Sequence, residues 1–447
     1  MGVEKAHIIG FKRSGRSAAT LLRKLGWKVI ISDDKDTEEY RKAAEEFRQM
    51  GVQVILGGHG KALEQSVDLV ILSPGVPLYL DFVRSRAAQG VEIIGELELG
   101  YFHTKGIISS TTGSNGKSTV TSLIGEIFRQ TGRPAFTCGN IGLPICDIAL
   151  QTTDNSLVSV EVSSFQLVST RKFHPKVSVY LNITGDHAKW HDGQENYQDA
   201  KALNWQNQME DDFAVYNADD PVVSEQVLSA RAKKIPFSIE QELDEGAFLR
   251  ADEMIYRNDE GVEFSIPLSA MTISGRHNIA NTLAAIAASY CTGVSPEEIE
   301  RGISAFKGLA HRLEYVRTLN GVDYINDSKA TNVDSGKCAL MAMDKPVILI
   351  AGGRGKGESY AGLRDLIAER VKKLILIGEC AEAIAADVKG ATTIEFADSF
   401  ERSITMAKGS AIAGDVVLLS SLAASYDMFN DFEHRGDEFK RIVMGLK

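Results

Sequence analysis

The sequence predicts an α/β protein built from doubly wound units that recur along the chain, and three observations carry that prediction. At 447 residues the chain exceeds the roughly 250 to 300 residues that one hydrophobic core can serve, so two or three domains are expected. Short Val/Ile-rich runs alternate with longer helical patterns from end to end, as parallel strands covered on both faces do. Several of those runs lead directly into glycine-rich turns, where such folds hold their ligands.

The first unit opens with the strand HIIG at 7–10 and continues into SGRSAATLLRKLG from Ser14 to Gly26. Ala18, Leu21, Leu22 and Leu25 share one helical face there, and Gly26 stands where a helix cap is expected. WKVIIS at 27–32 and DLVILS at 68–73 supply further strands. The turn GFKRSG, Gly10 to Gly15, sits where a dinucleotide fingerprint would sit, but Lys12 replaces its middle glycine, which weakens the case for a redox dinucleotide. Asp33 and Asp34 end the second strand, a position from which a carboxylate meets a ribose or base edge, so a nucleotide diphosphate stays open. The acidic cluster from Asp34 to Glu46 reads as a solvated helix face. Seams are expected near 101–106 and 308–312.

The segment GIISSTTGSNGKSTVTSLIGEIF is an apolar strand that enters a glycine-rich turn and leaves as a helix. In that setting the backbone N–H groups of Gly113, Ser114, Asn115 and Gly116 and the helix N-terminus can wrap phosphates. Lys117 would reach the β and γ phosphates, and Ser118 or Thr119 would offer a hydroxyl to magnesium. Thr111 stands where the general phosphate-loop pattern has glycine, so only the tail of that pattern is matched.

Glu161 ends the run LVSVE; a carboxylate at the end of a buried strand calls for a cation. His187 follows Asp186 after the strand VSVYLNIT, and on the residues alone it is either a ligand or a structural histidine. Asn278 and Asn281 lie three apart at a helix start, while Asp327, Lys329 and Thr331 alternate after the strand VDYIN. PVILIAGG from Pro346, KLILIG from Lys373 and DVVLLSS from Asp415 continue the strand rhythm. The loops after them, AGGRGKG and SLAASYDMFNDFEHRGDEF, are simple connections or binding loops.

Composition bounds the partners. A formal net charge of -11 argues against a general attraction to nucleic acid or anionic membranes, which demand a basic face. The five cysteines are scattered without a CxxC pair, so neither a zinc site nor a disulfide framework is expected. No run of 18 apolar residues and no signal peptide is present, and a soluble cytoplasmic protein is expected.

Taken together, SPG at 73–75, TGSNGKST from Thr112, GNIG at 139–142, EVSSFQL from Glu161, the Asp186–His187 pair, YQDAK ending at Lys201, NADD at 217–220, SGRHNIAN from Ser274, HRLE at 311–314, NDSKATN from Asn326 and FEHRGDEF from Phe432 resemble the Mur ligase family over nearly the whole chain. The resemblance implies three domains: a Rossmann-like module for a UDP sugar over 1–103, a central P-loop ATPase with a mainly parallel sheet over 104–309, and a Rossmann-like module for an amino acid over 310–447. It implies an ATP-dependent amide ligase acting through an acyl phosphate, with UDP-N-acetylmuramoyl-L-alanine and D-glutamate as substrates and a monomer as the working form. By the same resemblance Lys117, Glu161, His187 and Lys201 are catalytic, and two Mg2+ sites draw on Ser118, Glu161, His187 and a carbamylated Lys201. Asn278, Arg312, Asp327 and Lys329 would join residues 113–119 around ATP. Ser14, Gly15, Asp33, Ser73, Gly75 and Asn140 would meet the UDP substrate, and Thr331, Lys356, Ser425 and Phe432 the amino acid. Without the resemblance Lys201 reads as a surface lysine. SLAAS from Ser421 departs from the family, which often has proline and cysteine there, and bears on amino-acid selectivity. The rival readings are a folylpolyglutamate-synthetase-like ligase with another acceptor, a nucleotide-binding regulator without catalysis, and a nicotinamide dehydrogenase resting on Gly10 to Gly15 alone.

Overall fold

The computed structural model describes residues 4–183, 193–355 and 357–447, and these form three sheets. The first comprises β1 (Lys5–Ile9), β2 (Lys28–Asp33), β3 (Val52–Leu56), β4 (Leu69–Leu72) and β5 (Glu92–Gly95). Its order is β3-β2-β1-β4-β5 with every pair parallel, so the winding reverses between β1 and β4 and opens a crevice at their carboxyl ends. The helix Arg13–Lys24 buries Ala18, Leu21 and Leu22 against this sheet, while Leu25 falls at the C-cap and is exposed. Gly26 follows with φ +87°, the left-handed conformation a helix stop favours.

The second sheet contains β6 (Ile107–Thr112), β7 (Ala135–Gly139), β8 (Leu157–Glu161), β9 (Val177–Tyr180), β10 (Phe213–Asn217), β11 (Lys233–Ser238), β12 (Gly246–Arg250), β13 (Glu253–Arg257) and β14 (Glu263–Pro267). The order is β14-β13-β12-β11-β10-β9-β6-β8-β7, parallel from β7 to β12 and antiparallel over the last two pairs. The antiparallel extension is a departure from the parallel rhythm. Phe248, Met254, Ile255, Tyr256 and Ile266 are buried there, and since Met254, Ile255 and Tyr256 are consecutive, both faces of β13 are covered at its centre.

The third sheet takes β15 (Glu314–Leu319), β16 (Val322–Asp327), β17 (Val347–Gly352), β18 (Val371–Ile377), β19 (Thr393–Phe396) and β20 (Val416–Ser420) in the order β15-β16-β20-β17-β18-β19. Only the β15–β16 pair is antiparallel. The α/β class expected from the strand rhythm is therefore the class observed. The chain divides into two compact units, one of residues 1–271 with 280–306 and one of 272–279 with 307–447. Among the described residues no helix is long and apolar enough to cross a membrane.

Candidate active site

In the first unit the apolar strand β6 carries the chain into the sheet centre between β8 and β9, and the helix Lys117–Arg129 carries it out. The turn between them depends on two glycines. Gly113 has φ +150° and Gly116, the helix N-cap, has φ +85°. A Cβ at Gly116 would lie 2.5 Å from Asn281 Oδ1, so the backbone approaches its neighbour as only glycine allows. Thr111, where the phosphate-loop pattern has glycine, is still inside β6: it is fully buried and in register with Glu161 on one side and Val179 on the other. An extended residue between two strands has no need of glycine.

The turn is clasped by Asn182, which follows β9. Its side-chain oxygen accepts from Asn115 N at 2.8 Å, its amide donates to Asn115 O at 3.1 Å, and its carbonyl accepts from Ser114 N at 2.9 Å. Lys117 Nζ donates to Gly113 O at 2.9 Å and Ser114 O at 2.8 Å. Lys201, from the helix Gln194–Ala202, donates its own Nζ to Gly113 O at 2.7 Å. It is only 1% exposed and sits 4.6 Å from the Tyr197 ring centroid, one turn earlier on the same helix. The surface-lysine reading is thus corrected: the lysine is buried beside the phosphate turn. Tyr197 also reaches the turn, its hydroxyl 3.2 Å from Ser114 Oγ.

Glu161 ends β8, one strand from the turn, and is buried. Asn140 Nδ2 donates to Glu161 Oε1 at 2.7 Å and Asn140 N to the Glu161 carbonyl at 2.9 Å. Asn140, expected at the UDP substrate, thus engages Glu161 through its side chain. Glu161 Oε2 has no hydrogen-bond partner among the described residues, and a buried carboxylate oxygen left so is suited to a cation. Ser118 and Thr119 are buried in the first helical turn. His187 lies outside the described residues. Among those described, no three His, Cys, Asp or Glu side chains converge as a metal cluster.

The crevice of the first sheet gathers Gly15, Ser73 and Gly10: a Cβ on Gly15 would fall 1.9 Å from Gly10 O, and Ser73 Oγ donates to that same carbonyl at 3.3 Å. Ser14 is the second residue of the adjoining helix and is half-buried. Both Asp33 carboxylate oxygens accept backbone N–H groups, from Phe11 at 2.7 Å and Lys35 at 2.9 Å. A cavity of about 220 Å³ opens beside them, lined in part by Gly10, Asp33, Asp34, His59 and Gly75.

In the second unit Asp327 ends β16 fully out of water, accepting from Ser420 Oγ at 2.9 Å and Leu313 N at 3.2 Å. Burial pushes its carboxyl up to about 7, against the pull of Ser420 and Arg312. Lys329 Nζ lies 5.6 Å from the Phe432 ring, and Thr331 N donates to the Lys329 carbonyl at 2.9 Å. Asn278 Nδ2 donates to Ser274 O at 2.7 Å. Ser425 is buried, its carbonyl accepting from Met428 and Phe429. Lys356 lies outside the described residues. Arg435, unassigned in the sequence reading, joins two of these loops: Nε donates to Ser328 Oγ at 2.9 Å, Nη2 to Ser328 O at 2.8 Å, and Nη1 to Ala423 O at 3.3 Å. Its place in FEHRGDEF was the available signal, as was the position of Tyr197 four residues before Lys201.

Comparison with known proteins matches three stretches of the chain to one family. Residues 4–95 match the Mur ligase MurD-like N-terminal domain, 111–289 the Mur ligase middle domain, and 311–422 the Mur ligase glutamate ligase domain. The chain belongs to the Mur ligase family. It is 39% identical to the UDP-N-acetylmuramoylalanine--D-glutamate ligase of Koribacter versatilis over 98% of this chain and 96% of that one. With the protein of the same name from Alkaliphilus metalliredigens it shares 40% over 99% of this chain and 98% of that one. Among solved structures, a pseudomurein peptide ligase type C from Methanothermus fervidus superposes with TM-score 0.63 at 19% identity, covering 99% of this chain and all of that one. MurF ligase from Thermotoga maritima in complex with ADP gives TM-score 0.61 at 15% identity, covering 94% and 95%. Those structural likenesses speak to the fold.

Proposed function

We propose that this protein is an ATP-dependent amide ligase that adds D-glutamate to UDP-N-acetylmuramoyl-L-alanine in peptidoglycan precursor synthesis, giving ADP and phosphate. The observation that carries this is the phosphate turn itself, with Lys117 and Lys201 converging on the Gly113 carbonyl and a half-satisfied Glu161 one strand away. Full-length identity of about 40% to ligases named for that reaction supports the choice of substrates.

The residues fit a triphosphate with magnesium. The two glycines leave room for close approach, the helix N-terminus and Lys117 offer positive charge, and Glu161 Oε2 and the Ser118 hydroxyl are oxygen donors of the kind magnesium takes. When bound, magnesium would neutralise charge on the transferring phosphoryl group. Lys117 stabilises the same charge from the protein side while the γ-phosphoryl moves to the substrate carboxylate. The amine of the amino acid then attacks the acyl phosphate, and the tetrahedral intermediate collapses to amide and phosphate. His187 completes the catalytic set on this reading, and Lys201 acts as a carbamate, its burial favouring the neutral amine that carbon dioxide requires. Asn278, Arg312, Asp327 and Lys329 serve ATP; Thr331, Lys356, Ser425 and Phe432 serve the amino acid.

The proposed domains run 1–103, 104–309 and 310–447, and the working form is a cytoplasmic monomer. The test is release of phosphate by purified protein. It should require Mg2+, ATP, UDP-N-acetylmuramoyl-L-alanine and D-glutamate together, and stop with a chelator. Release that ignores the muramoyl substrate, or its complete absence with all four supplied, overturns the reading.

A further inference from the structure

The first sheet holds a chain of four polar side chains that leads from the core to the rim of the 220 Å³ cavity. His7, fully buried on β1, has Nε2 at 2.7 Å from Ser32 Oγ, and Ser32 Oγ lies 2.8 Å from His59 Nδ1. His59 Nε2 in turn is 3.1 Å from Asp34 Oδ1. Only Asp34 stands in solvent, its side chain 80% exposed against 10% for His59.

The protons along this chain follow from its two ends. His7 Nδ1 is buried with no partner, so a proton there would be an unsatisfied donor; the proton belongs on Nε2, which donates to Ser32. Burial, reinforced by Arg86, lowers His7 to about 3 and keeps it neutral. Ser32 then donates to His59 Nδ1, which must carry a lone pair, and His59 is left with its proton on Nε2, facing the Asp34 carboxylate. Phe82 packs on the other side of the imidazole, ring centroids 4.7 Å apart, so the ring is held against rotation as well.

Asp33 and Asp34 are therefore held in different ways. Both oxygens of Asp33 are engaged by the backbone N–H groups of Phe11 and Lys35, which tie the first turn to the end of β2. Asp34 is held by His59 from one side and faces the cavity with acceptor capacity remaining. We infer that His59 is a positioning residue that aims Asp34 at the O–H or N–H donors of the nucleoside part of a nucleoside diphosphate, with the His59–Phe82 pair as the side wall of that subsite. The inference rests on the reading of the first module as the UDP-substrate site, and it adds Asp34 to Asp33 among the contacts of that site.

The test measures binding of UDP and of 2′,3′-dideoxy-UDP by titration calorimetry, and KM for the UDP substrate against kcat, in the full chain. Asp34→Asn and His59→Asn should each weaken UDP binding about tenfold, the scale of one hydrogen bond to a charged group, and raise that KM while leaving kcat and the KM for ATP unchanged. His59→Gln, whose amide can still donate to Asp34, should restore most of the affinity, and Ser32→Ala, which frees the ring to turn, should not. A loss confined to UDP assigns the contact to the ribose, and an equal loss with the dideoxy nucleotide assigns it to the base; either supports the inference. Thermal unfolding within a few degrees of wild type shows that the folded site is being read. Unchanged UDP binding in folded Asp34→Asn and His59→Asn overturns the inference, whereas failure of the wild type to bind UDP overturns the underlying reading instead.

Discussion

Replacing Lys201 by methionine should separate what this lysine does for stability from what it does for the reaction. The side chain keeps its length and its seat over Tyr197, but the bond to Gly113 O at 2.7 Å disappears. A hydrogen bond from a charged donor contributes roughly 1.5–3 kcal/mol, and a desolvated cation over an aromatic face about 2 kcal/mol. Against that stands the cost of holding an ammonium out of water, several kcal/mol even after relaxation, which methionine does not incur. The terms nearly cancel, so urea unfolding should give a stability within about 2 kcal/mol of wild type. Turnover should fall by about two to three powers of ten, the effect of deleting one preorganised charged group. Near-normal turnover in a folded Lys201→Met variant refutes the catalytic assignment. The carbamate has its own readout: 13C-labelled bicarbonate should give a protein-bound carbamate signal in wild type and none in Lys201→Met, and absence of the signal in active wild-type protein refutes the modification.

Lys117→Ala should lower turnover by about two to three powers of ten in phosphate-release assays with the fold intact, and near-normal release would reject its role. Gly139→Ala combines φ +102° with a Cβ 2.2 Å from the Glu161 carbonyl, so it should destabilise by about 2 kcal/mol or more in urea unfolding; a neutral substitution would mean the β7–β8 edge relaxes freely. Asp327 binds its proton more tightly folded, near 7, than unfolded, near 3.8, so its contribution is fully present below pH 4 and is lost as pH rises through 7. Asp327→Asn keeps acceptance from Leu313 N and can donate to Ser420 Oγ, and should therefore unfold at a higher urea concentration than wild type at pH 8, by at most about 4 kcal/mol, and equally at pH 4. Parallel pH profiles would refute the raised carboxyl.

The sequence disclosed most where local chemistry and fold coincide. The strand–glycine turn–helix at 107–129 was legible because its strand, its glycines and its lysine are contiguous, and the strands β1, β2, β4, β8 and β9 were legible from their Val/Ile/Leu-rich runs. The antiparallel edge at 246–267 was not, since its apolar residues come in short groups flanked by charges, as in GAFLR and EMIYR, and give neither a long aliphatic run nor a two-residue alternation. Lys201 lay in a polar helix whose composition resembles a surface, and its burial follows from packing against a turn 88 positions away. The Asn182 clasp was hidden for the same reason: it joins segments distant in sequence, and no local pattern marks a side chain that serves a remote backbone.

Until Lys201 takes up carbon dioxide, two ammonium groups meet on one carbonyl oxygen, and their charge bears on what the unmodified turn receives. Like charges brought close in a partly dry site repel. Glu161, one strand over, adds one negative charge, yet one of its oxygens already accepts from Asn140. In that state a ligand with several negative charges, entering at the helix N-terminus beside Lys117, is drawn more strongly than a neutral or singly charged one. The same balance makes the order of affinities a consequence of charge: triphosphate above diphosphate above monophosphate, each step weakening as salt is raised. Equal affinity for ATP and AMP at low salt would show that the lysines serve the fold rather than the phosphates.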